Sequence, residues 1–262
     1  MIKIKNYFEI KEWFDNYIKN IIENNKNDKQ CLEIKAKHCI RVSEIIEDIG
    51  KNCNLNESNI RLASIIGLLH DIGRFEQYIK YKTFSDAHSE NHALLGETII
   101  EKNKILEGIN EHEKKIIVTS ILNHNKNKII NHLNAEELFF TKLIRDADKI
   151  DIFNVLLEYY LQNNQHINPA VVLNFSETGI ISSNNYIDFF AGKMLKLENI
   201  SNLEEYKLLN ISWIYDLNFK RSFEILHENK YIEKIIQTMQ QNENLNRIKQ
   251  TANNYIRSYL SN

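Results

Sequence analysis

Residues 58–74 read Ser58-Asn59-Ile60-Arg61-Leu62-Ala63-Ser64-Ile65-Ile66-Gly67-Leu68-Leu69-His70-Asp71-Ile72-Gly73-Arg74. Ala63, Ile66, Gly67 and His70 recur three and four residues apart, the spacing that stacks side chains on one face of an α-helix. The stretch predicts a helix that starts near Ser58, a candidate N-cap, and runs to about His70, with Gly73 closing or kinking it. An ionisable His-Asp pair therefore sits at the end of an apolar stripe.

The same pattern recurs along the chain. Leu32 to Ile49 reads as an amphipathic helix stopped by Gly50, with His38 on the face of Val42, Ile45 and Ile49. Asp86 to Lys104 places His92 with Leu95, Gly96 and Ile99. Glu113 to His124 places His124 with Ile117, Ser120 and Ile121, and Glu136 to Leu161 places Asp148 with Ile144, Ile152 and Val155. Tyr7 to Glu23 is a further helix, with Phe8, Trp13, Phe14, Tyr17, Ile18 and Ile21 at helical spacing. Helical periodicity resumes from Phe189 to Leu260. Between them, Val171-Val172-Leu173 and Ile180-Ile181 flank a Ser-Glu-Thr-Gly turn, which is either a short β-hairpin or an irregular insert.

Composition agrees with an all-α fold. Seven glycines and one proline in 262 residues are too few for a protein of many short strands. Apolar residues at 43% and charged residues at 26% are ordinary for a folded globular chain. A net charge of −2 without a basic block argues against binding polymeric nucleic acid and leaves small phosphorylated ligands open. Cys31, Cys39 and Cys53 are odd in number and lack CxxC spacing, which suits reduced thiols in a cytoplasm, with Cys39 packing as a small hydrophobe. The N-terminus has no apolar core of membrane or signal-peptide length. We read no chemistry into the Asn-Lys runs such as Asn24 to Lys29, which look like solvated loops.

A single inward histidine is ordinarily a structural one, and an inward Asp is harder to excuse, because a buried carboxylate needs a counter-charge. Imidazoles and carboxylates converging from five helices can share one metal centre, and such ligands suit first-row divalent ions: Mn, Fe, Co, Ni or Zn. His88, four residues before His92 on the expected helix, is an alternative ligand, proton donor or substrate contact. His112, His132, His166 and His227 sit in polar contexts and read as surface residues. Asp146 reads as exposed or capping Arg145, and Asp151, on the face of Asp148, as a residue that orients a ligand.

The order His38, His70-Asp71, Asp148 resembles the H…HD…D signature of the HD superfamily of phosphohydrolases. His38-Cys39-Ile40-Arg41-Val42 is similar to the family's H-x-x-R-V opening, Leu68 to Arg74 to its LLHDIGK segment, and Arg145 to Ile150 to its DADKL ending. The resemblance covers roughly residues 30 to 160. His92-Ala93 followed by Gly96 resembles the HA-x-x-G helix of two-metal members such as the HD-GYP branch and the dinucleoside-polyphosphate hydrolases, and His124 stands where those branches have a later histidine. The departure is Asn123-His124 in place of a His pair, with no GYP following, which speaks against cyclic di-GMP.

The resemblance implies an HD-domain helical bundle over residues 1–160 and a mostly helical extension over 161–262 packed on it. It implies two divalent ions. His38, His70, Asp71 and Asp148 would hold one, His92 and His124 the other, and Asp71 would bridge. Such ions, about 3.5 to 4 Å apart, activate a water for attack on phosphorus. Arg74 and Lys149 would contact the phosphate, or are solvated charges at helix ends. The implied activity is hydrolysis of a small phosphoester, a nucleotide being the expected substrate. The alternative is a nucleotide-sensing module that binds without turnover. The extension could add stacking from Phe175, Tyr186 or Trp213.

Overall fold

The computed structural model describes residues 2–161, 172–173 and 175–261. The chain divides into two compact units, Met1–Asp151 and Ile152–Asn262. Helices of the first unit are α1 (Ile4–Asn24), α2 (Lys29–Asn52), α3 (Glu57–Leu69), α4 (Gly73–Tyr81), α5 (His92–Lys102) and α6 (Glu111–His124), and the division falls inside α7 (Ala135–Leu161). The second unit contains α8 (Ser183–Phe190), α9 (Leu203–Ser212), α10 (Lys220–Glu228), α11 (Tyr231–Thr238) and α12 (Leu245–Leu260). The fold is all-α.

Asparagine starts many of these helices. The side chains of Asn56, Asn91, Asn110, Asn134 and Asn202 accept hydrogen bonds from backbone N–H groups in the first turns of α3, α5, α6, α7 and α9. Each satisfies donors that the helix itself cannot, worth about 1 kcal/mol apiece. The cap of α3 is therefore Asn56, two residues before the expected Ser58, which is buried within the helix. The end of α2 differs too. Gly50 lies inside the helix, and the left-handed residue is Asn54 (φ 57°). The Leu55 N–H donates to Gly50 O (3.1 Å) and the Asn54 N–H to Lys51 O (3.0 Å), the paired bonds of a Schellman ending.

Helix α3 is the centre of the first unit. Leu62 through Leu69 are all buried, as expected of a helix apolar on every side, and it packs against α1, α2 and α6. Two glycines set the close approaches that matter for the site. A Cβ on Gly67 would lie 2.8 Å from the Ser43 Cα, so only glycine lets α3 meet α2 at this depth. A Cβ on Gly73 would overlap the His92 carbonyl oxygen, so only glycine lets the start of α4 rest on α5. In α1, Ile10, Phe14 and Ile18 face the core, whereas Phe8, expected on that face, is 58% exposed.

In the second unit α9 is buried along its whole length, and Phe153, Phe189, Phe223, Ile235 and Ile248 are among the side chains that complete the core. Trp213, Phe175 and Tyr186 pack against that core. Among the described residues there is no sheet. Ile180 and Ile181 lie in irregular chain, and an isolated parallel bridge joins Ser176 to Asn202, so the insert is the irregular one of the two forms expected; Val171 and His166 lie outside the described residues. Among the described residues no helix is long and apolar enough to cross a membrane.

Candidate metal centre

Five helices deliver side chains to one point in the first unit. His38 comes from the middle of α2, His70 caps the end of α3 with Asp71 next to it, His92 opens α5, His124 ends α6, and Asp148 lies in α7. All but Asp148 are buried, and Asp148 keeps 17% of its side chain exposed.

Each histidine is held from behind by an acceptor on Nδ1. His70 Nδ1 lies 2.8 Å from Gly67 O and His124 Nδ1 2.6 Å from Ile121 O. His38 Nδ1 lies 2.7 Å from Asp151 Oδ2, and His92 Nδ1 lies 2.8 Å from both oxygens of Asp86. A carbonyl oxygen can only accept, so Nδ1 carries the hydrogen and a neutral ring turns the Nε2 lone pair inward. The Nε2 atoms of His38 and His70 are 3.2 Å apart, and those of His92 and His124 are 3.0 Å apart. Lone pairs at that separation repel unless a proton or a cation lies between them.

Asp71 joins the two histidine pairs. Its Oδ2 is 3.5 Å from His38 Nε2 and 3.7 Å from His70 Nε2, while its Oδ1 is 3.1 Å from His92 Nε2 and 3.6 Å from His124 Nε2. Asp148 Oδ1 adds to the first pair, 3.2 Å from His38 Nε2 and 3.5 Å from His70 Nε2. Three overlapping sets, His38-His70-Asp71, His70-His124-Asp148 and Asp71-His92-His124, bring their ligand atoms within 4.8 Å of one another. Imidazole nitrogens with carboxylate oxygens are the donor set that first-row divalent ions favour.

The electrostatics favour ionised Asp71 and Asp148 and a neutral His124. Burial pushes the Asp71 carboxyl up, but Lys35, His70 and Arg74 outweigh it and hold it well below the usual range. Asp148 is likewise pushed up by burial and held well below the usual range by His38 and His70 beside it. Burial, helped by the neighbouring His92 and His70, brings the His124 imidazole down to about 4. His38 moves the other way: burial and Lys35 lower it, and its bonds to Asp148 and Asp151 more than restore it.

The HD domain family matches residues 36–152, a stretch that begins two residues before His38 and ends one residue after Asp151. The chain carries an HD domain. No curated protein and no solved structure matches the chain. HD domains bind divalent metals and are in general metal-dependent phosphohydrolases, and the buried His/Asp groups of this one can hold such ions.

Around the HD-domain cluster the other expected residues fall out differently. Arg74 Nε is 3.4 Å from Asp71 Oδ1, and its Nη1 donates to Gln77 Oε1 (2.8 Å), Phe84 O (2.5 Å) and Asp86 Oδ1 (2.8 Å). Lys149 is buried with Nζ 3.4 Å from Arg145 O, one turn back on α7. His88 does not share a helix face with His92, because Asp86–His88 is a 3-10 turn and α5 begins only at His92. His88 is exposed, 3.0 Å from Ser85 Oγ. Asp146, expected to be exposed or to cap Arg145, is fully buried, which excludes the first of the two. His112, His132 and His227 are exposed.

Asp151, expected to orient a ligand, lies against the expected ligand His38: it takes His38 Nδ1 while Arg41 donates to it from Nε (2.5 Å) and Nη2 (2.9 Å). Two residues escaped the sequence reading. Asp86, in the loop before α5, gathers His92, Arg74, Gln77 and Asn125. Lys35, one helical turn before His38, places Nζ 2.8 Å from Asp71 Oδ2.

Proposed function

We propose that the protein is a dinuclear metal-dependent phosphohydrolase that hydrolyses a small phosphoester, with a nucleotide as the substrate class. The observation that carries this reading is the position of Asp71, whose two oxygens face different histidine pairs. His38, His70, Asp148 and Asp71 Oδ2 would hold one ion, and His92, His124 and Asp71 Oδ1 the second. Bound there, two divalent ions would bring the pKa of a water toward neutrality and neutralise charge building on the phosphoryl oxygens.

The protein's own part is to prepare the ligands. Gly67 O, Ile121 O, Asp151 and Asp86 fix the four rings with Nε2 inward, and Arg41 holds Asp151 in place. Arg74 ties Asp86 to Asp71, so that the oxygen facing His92 and the acceptor behind His92 share one cation. Lys149, next to the last ligand, and His88, in the loop before α5, are assigned to substrate from their places in the sequence. Nucleotide specificity rests on the substrates of the family the motifs resemble, and a cytoplasmic location on the odd cysteine number.

The test is to load purified protein in turn with Mn, Fe, Co, Ni and Zn, measure metal per chain, and screen cyclic nucleotides, deoxynucleotides and dinucleoside polyphosphates for turnover. We expect about two ions per chain, as the two-metal arrangement requires, with hydrolysis of at least one class. Protein that binds no metal, and whose His70→Ala/Asp71→Ala variant behaves as wild type, would refute the reading. Metal binding without turnover on any substrate would make it a sensing module instead.

A further inference from the structure

Arg41, Arg74, Lys149 and Lys35 are cationic side chains beside the cluster, and the first three bond to groups of the scaffold. Arg41 is held bidentately on Asp151. Arg74 Nη1 is shared among Gln77, Phe84 O and Asp86. Lys149 reaches back to the Arg145 carbonyl. Lys35 is different. Its hydrogen bond is to Asp71 Oδ2, the oxygen that faces His38 and His70, and its ammonium lies 5.3 Å from the centre of the Phe84 ring.

An ammonium on a metal-ligand oxygen stands in for the cation that oxygen is arranged to receive. Once a divalent ion binds Asp71 Oδ2, Lys35 faces like charge, and Coulomb repulsion favours its release. Its four-carbon stem lets the head move while α2 stays in place, and a compact, strongly hydrated ammonium with three donors suits a phosphoryl oxygen. The side chain is 17% exposed and so lies at the rim of the cluster rather than inside it. Phe84, buried and tied through its carbonyl to Arg74, keeps a cation-attracting ring beside the ammonium.

We infer that Lys35 is a further substrate-binding cation of the site, beside Lys149: it neutralises Asp71 when metal is absent and transfers to a phosphoryl oxygen when metal and substrate are present. This inference rests on the dinuclear reading above. Lys35 lies one residue before the stretch that matches the HD domain.

The test uses full-length protein loaded with Mn, and the variants Lys35→Met, which keeps the stem, and Lys35→Arg, which keeps the charge. Metal per chain and the affinity for inorganic phosphate are measured by metal analysis and calorimetry. Lys35→Met should keep its metal, or bind it more tightly because the competing ammonium is gone, while phosphate binding weakens about tenfold or more, the loss expected for a charge-assisted hydrogen bond. Lys35→Arg should recover most of that affinity, and with any substrate from the screen Lys35→Met should raise KM more than it lowers kcat. Phosphate affinity unchanged in Lys35→Met, or metal lost from it, would overturn the role of Lys35 and leave the dinuclear reading standing. Failure of metal-loaded wild type to bind phosphate would overturn the role of Lys35 alone, whereas failure of wild type to load metal would bring down both.

Discussion

Buried charge meets opposite charge in the unit from Ile152 to Asn262, and like meets like at the centre of the unit from Met1 to Asp151. On α9, Lys207 donates to Glu204 (2.7 Å) and to Thr238 O (2.6 Å), while Glu204 also accepts the Gln240 N–H (2.8 Å). Glu205 takes Ser182 N (2.9 Å) and Asn185 Nδ2 (2.9 Å) on one oxygen and Ser201 on the other. Those groups complete one another. In the HD cluster, Nε2 faces Nε2 twice and two carboxylates converge with them, an arrangement that needs a proton or a cation between its members. Burial alone does not mark a functional group; burial among groups of the same kind does.

The largest effect should come from removing the residue that spans both halves. Asp71→Ala should lower turnover by on the order of a thousandfold or more, because both ions lose a ligand at once. Metal analysis should show loss beyond one ion per chain, whereas His124→Ala should lose about one, as expected of a ligand to one ion of a pair. Equal metal loss in the two variants would break the view of Asp71 as the bridge.

The contrast was only partly legible in the sequence. His38, His70, His92, His124 and Asp148 could be read as inward because each continues an apolar stripe of helical period, and helix geometry carries that information locally. Asp86 could not, since its partners His92, Arg74 and Asn125 come from three elements and meet only in the fold. Lys35 shares a face with His38 at three-residue spacing, a signal that was present but looks like any surface lysine. His88 falls outside the helical register of His92, because α5 starts only after its cap, Asn91. The asparagines of α3, α5, α6, α7 and α9 blended into a chain rich in Asn, although a polar residue just before an apolar stripe is a start signal.

In the second unit, removing one partner should cost stability rather than metal. Lys207→Met leaves Glu204 buried without its ammonium, for which about 3 to 5 kcal/mol is expected. Denaturant unfolding would measure it, and metal per chain should not change. A loss near zero would mean that α9 is not held by this pair and would weaken the contrast between the two units.

Acid should act on the first unit through His124. Its folded pKa, about 4, lies below its ordinary value of 6.5, so its contribution is present above 6.5 and lost as pH falls toward 4. The metal-free protein should lose on the order of 3 kcal/mol over that window from this residue. His38, with its pKa raised, works in the opposite sense: its contribution is full below the unfolded value and fades as pH rises. The difference between wild type and His124→Gln isolates the His124 part, and melting curves at pH 7 and pH 5 should diverge for wild type and converge for the variant.

The smallest and most local effect belongs to Asp86. Asp86→Asn keeps the size of the side chain but replaces one oxygen with a donor, so His92 loses part of the acceptor that keeps Nε2 free for metal. Loss of such a partner typically costs 10- to 100-fold in metal affinity, and here roughly that loss should fall on one ion only, because the His38 and His70 rings are backed by Asp151 and Gly67 O. Metal titration should then resolve one tight and one weakened site where wild type shows two tight ones. Uniform weakening would instead mean that Arg74, released from Asp86, redistributes its charge on Asp71, and that the two halves behave as one site rather than two.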